Sequence, residues 1–305
     1  MKLDSVEHGP GGDSSSVPQN FALDTDIGSD VDDILALATI QGSEELLLDL
    51  VTTVYGDVDL RARMVARFFS VSGGKRPVVV PGLSETRSGR AVWWPGHEGA
   101  LMQGLPSEKI NDDLDAIALL AKSSTVTAIA PLTNIAAALE SSGSDIQEVY
   151  MMAGEFEEGR IEHNIKCDVE AAATVFENSV PVTVVGLDQT ERVRLHASEL
   201  KKIESSGPLG ELLAAEMHQF WAFTNESSNV PHDPIAVLMM TSPELFQFAR
   251  GRVTVVRSGP VEGRTRFDPD PHGPHRVVTA IHASAADQIV ARILRATTQA
   301  VSPDR

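Results

Sequence analysis

Five aspartates fall within ten residues near the start of the chain: Asp24, Asp26, Asp30, Asp32 and Asp33, in the stretch DTDIGSDVDD. At any partly buried dielectric such crowding costs on the order of several kcal/mol, so a bound divalent cation, raised pKa values or both must compensate. Donors that are all oxygen favour calcium or magnesium over zinc. The preceding Phe21-Ala22-Leu23 reads as the end of a buried strand, and Gly28 allows an unusual backbone turn. The residues from Asp30 on open a helix with an acidic first turn, whose N-terminus offsets part of the repulsion.

One or two aspartates would fit a solvated helix start, but five behind a strand do not. An EF-hand loop counted from Asp24 would need Gly and Glu where the chain has Ser29 and Leu35. An aspartyl-phosphate phosphatase also places Asp-x-Asp after a first strand. Gly28 stands where such enzymes usually carry Thr or Val, which leaves that reading a weak alternative.

Further motifs follow in order: Pro131-Leu132-Thr133-Asn134, then Glu162-His163-Asn164 with Asp168-Val169-Glu170-Ala171, then His232-Asp233-Pro234. With the acidic loop and an Arg-containing tail at 261–266, they resemble the inosine-uridine type nucleoside hydrolase family over roughly residues 21–300. That resemblance implies calcium-dependent hydrolysis of the N-glycosidic bond of a ribonucleoside or related N-riboside, giving ribose and free base. It implies Asp26 as general base and, with Asp33, Asp233 and the Thr133 carbonyl, as cation ligand. Asp32 or Asp30 would accept hydrogen bonds from the ribose, and Glu162 and Asn164, two apart in an extended segment, would grip the sugar hydroxyls. His232 would assist the departing base, although a lone His is as readily structural. A homodimer or homotetramer is also implied. The competing reading is a non-catalytic, metal-dependent protein that binds a sugar or nucleoside.

The chain departs from the well-studied branch of that family at three places. Its acidic loop is two residues longer, Gly56-Asp57 stands where Gly-Asn is common, and Trp93-Trp94-Pro95-Gly96-His97 replaces a His-Gly loop near the base. Asp57 can only accept, so it should meet a hydroxyl, a cation or the nearby Arg61 or Arg63. Two Trp rings beside His97 could stack on a nucleobase or simply cover a surface patch. Trp221 is a further base-side candidate, although a helical aromatic stripe is more often core. These substitutions predict slow hydrolysis of common ribonucleosides and a better substrate with an altered base or sugar.

Positioning such groups requires a scaffold. Apolar, β-branched runs at 47–54, 77–80, 126–130, 149–152 and 182–185 alternate with helical patterns at 59–71, 113–121, 134–140 and 169–176. That rhythm predicts an α/β fold: an open, mostly parallel sheet with helices on both faces and ligands at the carboxyl ends of its strands. From about residue 195 the pattern becomes helix after helix (197–203, 209–223, 233–239), predicting a C-terminal helical cap over the strand ends. Strand-like runs at 253–256 and 277–281 precede a closing helix at 285–296.

Residues 1–19 read as a disordered leader and 20–305 as one domain. A net charge of −18 argues against nucleic acid polymers but leaves small uncharged substrates open. A lone Cys167 excludes an internal disulfide, fits a reducing cytoplasm, and reads as a small buried filler. No apolar run suggests a membrane span.

Overall fold

The computed structural model describes residues 18–299. The expected leader therefore lies outside the described residues except at its end, which is corrected. Gln19 already pairs in the first strand, its N–H donating to the Glu45 carbonyl at 2.9 Å.

Nine strands form the main sheet. In chain order they are β1 (Gln19–Thr25), β2 (Leu46–Thr53), β3 (Val78–Pro81), β4 (Thr125–Ala128), β5 (Glu148–Met152) and β6 (Val182–Val185), then β9 (Phe246–Val255), β10 (Thr265–Pro269) and β11 (His275–Ile281). The short β7 (Leu195–His196) and β8 (Ser228–Asn229) pair separately. The order is β10-β9-β11-β6-β5-β4-β1-β2-β3, parallel from β3 through β11, with β9 and β10 antiparallel at one edge. The direction of winding reverses between β1 and β4, the point at which an open α/β sheet leaves a crevice at its strand ends.

The helices are α1 (Asp32–Gln41), α2 (Val58–Ser72), α3 (Ala116–Leu120), α4 (Thr133–Glu140), α5 (His163–Cys167), α6 (Val169–Glu177) and α7 (Leu187–Thr190). The later ones are α8 (Ala197–Glu204), α9 (Pro208–Thr224), α10 (His232–Thr241) and α11 (Ala285–Gln299). One apolar layer joins α1, α2, α10 and α11 to the sheet, with α8 and α9 packed outside it. A second layer holds α3, α4 and α6 on the opposite face. Both faces of the central strands are thereby covered, which is why those strands read as continuous apolar runs. None of the described helices is long and apolar enough to cross a membrane.

Glu216 on α9 is an oddity in this packing: it is buried, and its Oε1 has no hydrogen-bond partner among the described residues. Burial alone pushes its pKa from 4.5 up to about 7. A folded-state pKa above the unfolded one favours folding fully at low pH, and that advantage is lost as pH rises through about 7. Glu216→Gln should therefore stabilise the protein by roughly 3 kcal/mol at pH 8 and by less than about 1 kcal/mol at pH 5. Thermal melts at the two pH values check this; an equal gain at both would contradict it.

Candidate active site

The crevice between β1 and β4 is built by residues that follow strand ends. Asp26, Ser29 and Asp30 come from the β1–α1 loop, Ile129 follows β4, Met152 ends β5, and Leu187 follows β6. Asp32 and Asp33 enter from the first turn of α1, and His232 and Asp233 from the first turn of α10. They line a cavity of about 400 Å³, of a size that holds a small ligand.

Internal hydrogen bonds fix the loop. Thr25 Oγ1 donates to Asp33 at 2.5 Å. Asp24 is completely buried and faces away from the cavity chemistry, accepting from Thr52 Oγ1 at 2.6 Å and Asn134 Nδ2 at 2.8 Å. Asn134 also donates to the Thr53 carbonyl and accepts from the Leu83 N–H, so the Pro131–Asn134 turn locks β1, β2 and the segment after β3 together. Thr133 is buried, and its hydroxyl donates to Asp168 at 2.7 Å. Asp168 in turn accepts from the backbone of Arg87 and Ser88 and caps α6.

Carboxyl oxygens of Asp32, Asp33 and Asp233, all buried, lie within 4.8 Å of one another. Burial first, and repulsion from neighbouring aspartates (Asp26 and Asp30 among them) second, hold all three well above the usual carboxylate range. Burial likewise raises Asp26, against the opposing pull of the Arg61 guanidinium, and raises Asp30 to about 7. A buried set of oxygen donors that cannot all ionise together fits a hard divalent cation, which would replace the protons. Geometry thus groups Asp32 with Asp33 and Asp233 in a cluster that could hold a cation, and places Asp26 on the same cavity wall.

His232 is half-buried, with Nδ1 2.7 Å from Thr190 Oγ1. Burial lowers its pKa to about 4, so the ring is neutral near pH 7.

Several sequence expectations are corrected here. Glu162 and Asn164 do not share an extended face. Glu162 caps α5, accepting from the N–H groups of Asn164 at 2.7 Å, Ile165 at 3.0 Å and Gly154 at 3.0 Å. Both line the cavity, but the Glu162 carboxylate is already engaged in holding the backbone. Asp57 is exposed and caps α2, accepting from Leu60 N–H at 2.9 Å; it does not line the cavity. Trp221 lies elsewhere, donating to Asn229 Oδ1 at 3.1 Å beside a separate cavity lined by His218 and Asn225. His97 is not in the cavity wall either; its Nε2 is 3.2 Å from the Ser29 carbonyl oxygen and its ring meets Phe223 edge-on.

Other residues take their place. Of the aromatic loop only Trp93 lines the cavity, its ring edge-on to His163 at 5.3 Å, while Trp94 lies under Arg61. Ile161, His163 and Lys166 complete this wall. Arg61, completely buried, supports the loop from below: it donates to the carbonyls of Asp26, Ile27 and Tyr55 and to Ser29 Oγ. Its position one turn into α2, facing inward, is the only sequence signal for this, since an Arg on the apolar stripe of a helix needs buried partners.

Comparison with known proteins agrees with this geometry. Residues 21–290 match the family described as inosine-uridine preferring nucleoside hydrolase. The chain is 30% identical to the non-specific ribonucleoside hydrolase RihC of Klebsiella pneumoniae (strain 342), over 78% of this chain and 84% of that one. It is 28% identical to uridine nucleosidase 1 of Arabidopsis thaliana, over 84% of each. The solved purine-preferring ribonucleoside hydrolase from Gardnerella vaginalis superposes with a TM-score of 0.81 at 25% identity, over 92% of this chain and 99% of that one.

Proposed function

The chain belongs to the inosine-uridine preferring nucleoside hydrolase family and is an N-glycosyl hydrolase acting on ribonucleosides, and we propose that it does so with calcium, using the carboxylates of the β1–α1 loop and of α10. The observation that carries this reading is the convergence of Asp32 and Asp33 with Asp233, two hundred residues further along the chain, on one buried point inside the cavity.

Asp32, Asp33 and Asp233, with Asp26 and the Thr133 carbonyl, would hold the ion. Calcium held there supplies polarisation of the attacking water and an anchor for ribose hydroxyls. Asp26 is the general base: its backbone is immobilised by Arg61, its carboxylate faces the cavity, and burial has raised its affinity for a proton. Asp30 is less suited, because its Oδ1 accepts from the Val31 N–H at 2.5 Å. Asn164, whose amide also donates to the Met152 carbonyl, offers its remaining hydrogen-bonding capacity to the sugar.

As the glycosidic bond breaks, positive charge grows on the ribose and negative charge on the base. The buried carboxylates suit the first change. For the second, His232 stands at the cavity wall with Nδ1 2.7 Å from Thr190 Oγ1, and with the proton of its neutral ring on Nε2 it would serve as a hydrogen-bond donor to the base. The base then lies against Trp93, Ile161 and His163. With Asp57 and His97 outside the cavity, two grounds for expecting slow cleavage of common ribonucleosides fall away. Release of reducing sugar from inosine, uridine, adenosine, guanosine and cytidine in the presence of calcium tests the activity. No ribose from any of them would refute it. A binding protein without catalysis would hold calcium and ribose yet release nothing.

A further inference from the structure

Trp93 is 45% exposed at the mouth of the cavity, in a segment with no regular secondary structure. An exposed ring on an irregular loop contributes to recognition only if something fixes where it stands. The segment is held at two places. At one end the Trp93 N–H donates to the Tyr55 hydroxyl at 2.7 Å. At the other, Trp94 packs against the Arg61 guanidinium, and the polar links of Glu98 and His97 to the acidic loop converge on one of its residues, Ser29. Ser29 Oγ donates to Glu98 Oε1 at 3.1 Å and accepts from Arg61 Nη2 at 3.2 Å, and the Ser29 carbonyl oxygen is 3.2 Å from His97 Nε2.

Glu98 is itself buried, and its second oxygen accepts from the Gly96 N–H at 2.8 Å, so the carboxylate stiffens its own loop while gripping Ser29. The approach is close enough that a Cβ on neighbouring Gly28 would stand 3.4 Å from the Glu98 Cβ and 2.9 Å from Met64 Cε. His97 extends the contact to Phe223 at the end of α9. Ser29 is buried and lines the cavity.

Resting on the reading of this site as a nucleoside pocket, we infer that Ser29 is a positioning residue for base recognition: through Glu98 and His97 it holds the aromatic segment 93–98 against the cavity mouth. The acidic loop thus serves the sugar with its carboxylates and the base with its serine.

Ser29→Ala should raise KM for the best nucleoside of the panel about tenfold, with kcat changed less than about threefold. Inhibition by free ribose, which has no base, should stay within about twofold of the wild type. Glu98→Ala should reproduce this signature from the other side of the joint, and it serves as the test if the Ser29 variant does not fold. The double variant should be no worse than either single one, because both break the same link. An unchanged KM, additive effects, or ribose inhibition weakened in step with KM would overturn the inference. A wild-type protein that cleaves no nucleoside would overturn the nucleoside-pocket reading on which it rests.

Discussion

Asp26→Asn is expected to lower turnover at least about a hundredfold at saturating calcium while leaving the melting temperature close to that of the wild type. The substitution keeps the shape of the side chain and removes its ability to take a proton. It also spares the contacts that hold the loop, because Arg61 bonds to the backbone carbonyls of Asp26 and Ile27 and not to the carboxylate. Asp26 is also proposed to touch the cation, so calcium affinity must be measured alongside. A loss of rate that persists when the ion is saturating belongs to proton transfer. Near-normal turnover would move the role of base to Asp32, or to Asp30 despite its bond to Val31.

The central strands are legible in the sequence because a strand buried on both faces is dominated by apolar and β-branched residues, as in the Val-Thr-Val-Val of β6 and the Val149–Met152 run of β5. The edge strand β10 is not: Thr265–Pro269 is polar, ends in Pro and faces solvent at most positions, as an edge permits. Helix α5 also escapes sequence reading, since five residues give no periodicity and its formation depends on the Glu162 cap. The same cap is the reason Glu162 and Asn164 look like an extended pair.

In the site, the acidic residues can be found because so many carboxylates in one loop repel one another unless a cation or shared protons hold them together. The opposite wall is legible only in part: Trp93 stands out as an aromatic candidate, but nothing in the sequence shows that the segment of Ile161, His163 and Lys166 folds against it. Asp57 misleads because a carboxylate just before a helix is equally a cap, and here the cap prevails. Trp221 misleads because an aromatic residue on a helix gives no sign of which cavity it faces.

Asp233→Ala should weaken calcium binding at least about a hundredfold, since it removes one of the carboxylates proposed to hold the ion, and one of the three that converge within 4.8 Å. The consequence for stability depends on the ion. In chelator the variant should lose little, within about 1 kcal/mol, because deleting one buried carboxylate relieves the crowding felt by Asp32 and Asp33 and offsets the lost side chain. With calcium at about a hundred times the wild-type dissociation constant, the native wild-type protein gains about 2.7 kcal/mol by mass action and the variant only a few tenths. The gap between the two should therefore widen by about 2 kcal/mol on adding calcium. A residue that merely packed the start of α10 would cost the same with and without the ion, so equal losses in calcium and in chelator would remove Asp233 from the metal site. Terbium luminescence or calorimetry measures the affinity, and paired thermal melts measure the gap.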